Sequence, residues 1–198
     1  MNHPLARTDW IERASRGMAR AGGAAILLCA VLISLDVLTR KLLGVAWFES
    51  YEVTIYVFAI AVAFGQAYSL VAGAHIRVDV LHAALPRPLR TALDALSLAL
   101  LAGTTAYLAW HAWSTVAQSA SLGARSNSTL GVPLVIPQGL WSIGLTWFAL
   151  VAAVLLVRHA VLVTRGRTNA AEAILSGRAL ADNDAEHLIA PAPKDEAR

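Results

Sequence analysis

Long apolar stretches alternate along this chain with short polar segments, and their lengths predict membrane-spanning helices. The clearest stretch runs from Trp47 to Asp79. It opens on Glu49 and Glu52, continues through 24 residues (Val53 to Ile76) with no Asp, Glu, Lys or Arg, and closes on His75-Ile76-Arg77-Val78-Asp79. An earlier apolar run spans Ala21 to Leu38. Further on, Asp94 and Arg125 bracket 30 residues without formal charge, and Arg125 and Arg158 bracket 32 more. A hydrocarbon core about 30 Å thick takes roughly 20 helical residues, so each run holds one span. The pattern predicts four: Ala21–Leu38, Glu52–Val71, about Leu93–Val116 and about Gln138–Val157. Pro133 and Pro137 are expected to delay the last of these.

Polar positions within the runs refine this reading. Asp36 sits about one turn from the end of the first span, with Arg40 at i+4 on the same face. A salt-bridged helix end is the favoured reading and a coupling-ion ligand the alternative. Glu49 and Glu52 share a face at a helix N-terminus, where the helix dipole favours negative charge. Gly65 beside Gln66 suits close helix contact and an interhelical hydrogen bond, with substrate contact as the other reading. The segment Ala74–Asp79 alternates polar and apolar residues, but an open strand has no partner in lipid, so an interfacial helix or turn is expected over a solvated loop. His111, between Trp110 and Trp113, reads as an interfacial belt residue.

At the N-terminus, Asp9 and Glu12 imitate a capping box, and Trp10, Ile11, Ala14 and Met18 follow at helical spacing. An amphipathic helix in the headgroup region over residues 1–20 is expected, the alternative being a frayed basic tail. No small-x-small cleavage pattern follows the first apolar run, so it reads as an uncleaved span. The membrane domain is expected over residues 1–166, and 167–198, polar and acidic, as a disordered tail.

Composition fixes the class. Of 198 residues 57% are hydrophobic and 15% charged, and the mean hydropathy is +0.57, too apolar for a soluble domain of this size. The single Cys29 excludes an internal disulfide and reads as packing. With four spans, the N-terminus, the second loop and the C-terminal flank share one side of the membrane and hold ten Lys and Arg (Arg7, Arg13, Arg16, Arg20, Arg77, Arg87, Arg90, Arg158, Arg165, Arg167), and the connections on the other side hold three (Arg40, Lys41, Arg125). This bias predicts both termini in the cytoplasm. The fold class expected is therefore all-α, an integral membrane protein with four transmembrane helices and an N-terminal amphipathic interfacial helix.

The sequence carries no nucleophile elbow, phosphate-cradling glycine loop or helical HExxH, and its six histidines have no metal-ligand spacing. An enzyme is not expected, nor any cofactor, metal or nucleic-acid partner.

Trp47, Glu49, Glu52, Tyr56 and Gly65, followed by His75-Ile76-Arg77-Val78-Asp79 with Leu81 and Pro86, resemble the small membrane subunit of tripartite ATP-independent periplasmic transporters, the DctQ-like family. Leu130-Gly131-Val132-Pro133 with Ile136-Pro137 is similar to that family's turn before the last helix. The chain departs from the pattern where Ser50 and Tyr51 separate the two acids and where Trp141-Ser142 stand in place of a frequent proline. The resemblance implies a multi-pass protein of the bacterial inner membrane, acting as a scaffold. Its partners would be a large multi-span, sodium-coupled membrane subunit, a periplasmic binding protein for an organic acid anion such as a carboxylate or sugar acid, and membrane lipid. Asp36, Arg40, Trp47, Glu49, Glu52, Gly65, Gln66, His75, Arg77, Asp79, Pro133 and Pro137 are the candidate subunit-interface or structural residues. Two other classes are the alternatives: a haem-binding membrane electron carrier, which needs two facing histidines, and a self-sufficient homodimeric exporter, which needs a central acid in the first span.

Overall fold

A computed structural model of the chain describes residues 9–44, 50–73, 85–128 and 130–175. Its helices are α1 (Asp9–Leu43), α2 (Ser50–Val71), α3 (Arg87–Ser121), α4 (Val135–Thr164) and the short α5 (Thr168–Leu175). The first four are long and apolar enough to cross a membrane, as the charge-free runs predict. In hydrocarbon a helix satisfies all its backbone groups internally, which overrides the weak helix preference of the Val, Ile and Thr residues in α2.

The helix ends differ from expectation. The amphipathic segment and the first span form one continuous helix, α1, of 35 residues. The Arg16 guanidinium bonds Glu12 at i+4, a pair that supports helix across the polar stretch. Helix α3 starts at Arg87, not near Leu93, because Pro86 supplies an extended N-cap (φ −64°, ψ 146°) and Pro88 falls in the first turn, where a missing N–H costs nothing. Pro137 is likewise tolerated in the first turn of α4, which begins at Val135 and not Gln138. Helix α3 also continues to Ser121, past the expected end near Val116. Beyond Arg167, residues 168–175 form α5, and Ala171 is fully buried.

The helices lie in the spatial order α1–α2–α4–α3, with α5 folded back against α4. Helices α1 and α2 form one antiparallel hairpin and α3 and α4 another; the hairpins join through α2 and α4, which run in the same direction. The end where α1 begins and α4 finishes is here called basal, the other apical.

Small residues set the helix spacing at the joints. A Cβ added to Gly144 would lie 2.8 Å from Ala63 Cβ and 2.8 Å from Phe64 Cδ1, and one on Gly22 would lie 3.1 Å from the Ala61 backbone. Ala63, Ala67 and Ala152 have no exposed surface. Around them Leu70, Leu98, Phe148, Val151 and Leu155 form the core, with Ile11 of α1 reaching into it. Much of the remaining apolar surface faces outward, as Leu27 (71% exposed) and Trp110 (76%) illustrate.

Gly144→Val should force α2 and α4 apart and cost about 1–3 kcal/mol, the usual range for overpacking. Gly139→Ala, whose added Cβ meets nothing within 4 Å, should leave stability unchanged or slightly improved. Thermal unfolding of the purified chain in one detergent reads both; equal behaviour of the two variants would contradict the close approach.

Candidate functional site

Polar groups concentrate at the two ends of the bundle. At the apical end, Asp36 is 3% exposed, and its Oδ2 accepts hydrogen bonds from Arg40 Nη2 at 3.1 Å and from Ser50 Oγ at 2.9 Å. Ser50 opens α2, so the carboxylate ties the end of one helix to the start of the next. Arg40 itself is more than half exposed and reaches towards the aqueous edge.

Glu52 makes the longest-range polar connection. Its Oε1 accepts from the Tyr56 hydroxyl at 2.6 Å, and its Oε2 accepts from the Ser128 hydroxyl in the α3–α4 connection. Ser128 Oγ accepts in turn from Ser126 Oγ at 3.0 Å and from the backbone N–H of Leu130 at 3.2 Å. The connection is itself ordered. Arg125 pairs with Pro133 in an antiparallel bridge, Leu134 N–H donates to Ala124 O, and Arg125 Nη1 donates to Gly131 O at 3.0 Å. Gly123 and Gly131, with φ of +58° and +54°, take the left-handed turns that other residues adopt only at a cost. Glu52 thus holds a folded loop against the start of α2.

At the basal end, sequence reasoning missed a buried polar group. Thr91, Asp94 (2% exposed) and His159 (no exposed surface) lie between α3 and α4, and His159 Nε2 approaches Thr91 O at 3.4 Å. Arg90 Nη2 donates to Leu85 O, and Arg90 Nη1 stands 3.9 Å from Glu172 of α5. Further out along α1, Ser15 Oγ accepts from Trp147 Nε1 at 3.0 Å, and the rings of Trp10 and Trp147 meet edge to face. Asp94 at the head of an apolar run and His159 at the tail of the next were the available signals, but only the register of α3 on α4 shows that they are buried together.

Of the sequence candidates, the structure brings Asp36 and Arg40 together, ties Glu52 to the loop that carries Pro133, and buries Pro137 in the first turn of α4. Gly65 needs correction as a close-contact residue within this chain. A Cβ there meets nothing within 4 Å, and the approaches are made by Gly22 and Gly144. Nor does the Gln66 side chain hydrogen-bond to another described residue. Trp47, Glu49, His75, Arg77 and Asp79 lie outside the described residues. Among the described residues no three His, Cys, Asp or Glu side chains come together as a metal site.

These features define a multi-pass membrane protein whose polar side chains serve mainly to join its own helices. Residues 29–162 match the family described as tripartite ATP-independent periplasmic transporters, DctQ component, and the chain belongs to that family of transporter components. It is a component of the bacterial inner membrane. No curated protein and no solved structure gives a significant match.

If Glu52 anchors the apical loop through Ser128, Glu52→Ala and Ser128→Ala should each lower the melting temperature, and the double variant should be no less stable than the worse single one. Additive losses in that four-member comparison would show that the two side chains act independently.

Proposed function

We propose that this chain is the small scaffold subunit of a secondary transporter that imports organic acid anions, carboxylates or sugar acids. It acts with a periplasmic binding protein and a large sodium-coupled membrane subunit, and both its termini face the cytoplasm. The observation that carries the proposal is the joining of two helical hairpins through α2 and α4, clamped apically by the Glu52–Ser128 bond. A body braced in this way gives a moving partner something fixed to move against.

The chain's own polar inventory supports this division of labour. Asp36 is engaged by Arg40 and Ser50, and Glu52 by Tyr56 and Ser128. A carboxylate engaged in this way would have to lose its partners before it took up an ion. Coupling is therefore assigned to the large subunit, and the outward-facing apolar side chains of the four spans supply surface for packing against it and against lipid. The apical loop, under this orientation, stands on the periplasmic side, within reach of a docking binding protein.

Liposomes containing the large subunit, the binding protein and this chain, under an inward sodium gradient, should take up an organic acid anion. Omitting this chain should abolish or strongly reduce that uptake, and the chain alone should transport nothing. Undiminished uptake without it, or uptake by it alone, would each defeat the proposal.

A further inference from the structure

At the basal end of the α1–α2 hairpin, an open cavity of about 310 Å³ is lined by Arg16, Ala19, Arg20 and Tyr68. From this geometry we infer that Arg16, Arg20 and Tyr68 form a site for a phosphate group, that of an anionic phospholipid seated against this hairpin. The inference requires only that the chain is embedded in a membrane.

The donors are placed for it. The Arg16 guanidinium carbon lies 5.9 Å from the centre of the Tyr68 ring, which fixes the guanidinium at the cavity wall. Glu12 engages only its Nη2, and the Arg16 Nε is buried without a hydrogen-bond partner among the described residues. Glu12 offsets the charge of Arg16. Arg20 is exposed and makes no ion pair or hydrogen bond through its side chain to the described residues, so the cavity carries a net positive charge. The planar fork of Arg20, the Nη1 of Arg16 and the Tyr68 phenol match the oxygens of a phosphate, and charge-assisted bonds of this kind are about twice as strong as neutral ones.

Position points to a lipid as the source. Arg20 is the last charged residue before the apolar run of α1, and Tyr68 lies three residues from the end of α2. The face of α1 that carries Arg16 and Arg20 continues through Leu27 (71% exposed) and Val31 (56% exposed). Acyl chains below a headgroup held at the cavity would lie along that face. Free phosphate offers the same oxygens and gains nothing from it.

The test is native mass spectrometry of the full-length chain in detergent, titrated with phosphatidylglycerol and with diacylglycerol of the same acyl chains. Phosphatidylglycerol should be retained and diacylglycerol not. Arg20→Gln and Tyr68→Phe should weaken retention, the former by about tenfold, as expected for losing a charge-assisted bond. Arg87→Gln, which removes the same charge from a helix that does not line the cavity, should match the wild type. Circular dichroism and gel-filtration profiles confirm that each variant is folded. If excess inorganic phosphate leaves the lipid in place, the site belongs to phospholipid; if it displaces the lipid, the site is one for phosphate in general. Unchanged retention in Arg20→Gln, equal loss in Arg87→Gln, or equal retention of diacylglycerol would overturn the inference.

Discussion

A polar group placed in hydrocarbon has no water to bond, and each one left unsatisfied costs several kcal/mol, so a membrane helix must find partners for it within the protein. The arrangement of this chain follows from that constraint. Asp36 is nearly buried and holds Ser50 at the start of the next helix, and Glu52 holds Ser128 in a loop 76 residues away in sequence. Trp147 donates to Ser15, and Trp113 to Thr146. Each of these bonds joins different helices, or a helix and a distant loop. The polar side chains therefore act as cross-braces, and the stiffness of the whole depends on them more than on hydrophobic collapse, which has little force where the solvent is itself apolar.

Packing completes what the cross-braces begin. In lipid, helices hold together largely through dispersion contacts, which need backbones close enough to touch. Gly22 against Ala61 and Gly144 against Ala63 and Phe64 provide that closeness at the two joints made by α2. Helix α2 is thus in contact on both sides, with α1 and with α4, while α1 and α3 lie at the two ends of the row and leave Leu27 and Trp110 exposed. The start of α1 also reaches α4 through Trp10 and Ser15, yet much apolar surface along the spans stays exposed. Under the proposed function, that surface is what the chain offers a larger membrane partner.

The spans were legible because charge is excluded from hydrocarbon whatever the fold, so the gaps between Asp94, Arg125 and Arg158 mark them directly. Helix ends were less so. Pro137 reads as delaying the last helix, but in a first turn proline costs nothing, and Glu12 with Arg16 carries α1 through a stretch that looked like a separate segment. Asp36 with Arg40 could be paired from i,i+4 spacing alone. Glu52 with Ser128 could not, since nothing local links a helix start to a loop two helices later. Gly65 and Gly144 look alike in sequence, and only the angular position of each helix decides which one meets a neighbour. The burial of Asp94 and His159 likewise depends on helix register, which no local pattern shows.

Under the proposed function, the four spans move as one unit while the assembled transporter works. Pulsed electron spin resonance between labels at Phe58→Cys on α2 and Leu100→Cys on α3, both outward-facing positions, tests this most directly when Cys29 is replaced by Ser. The distance should be the same in the complex at rest and with substrate, binding protein and sodium gradient present. A shift larger than about 2 Å, beyond the small helix adjustments seen at ordinary interfaces, would contradict a rigid scaffold.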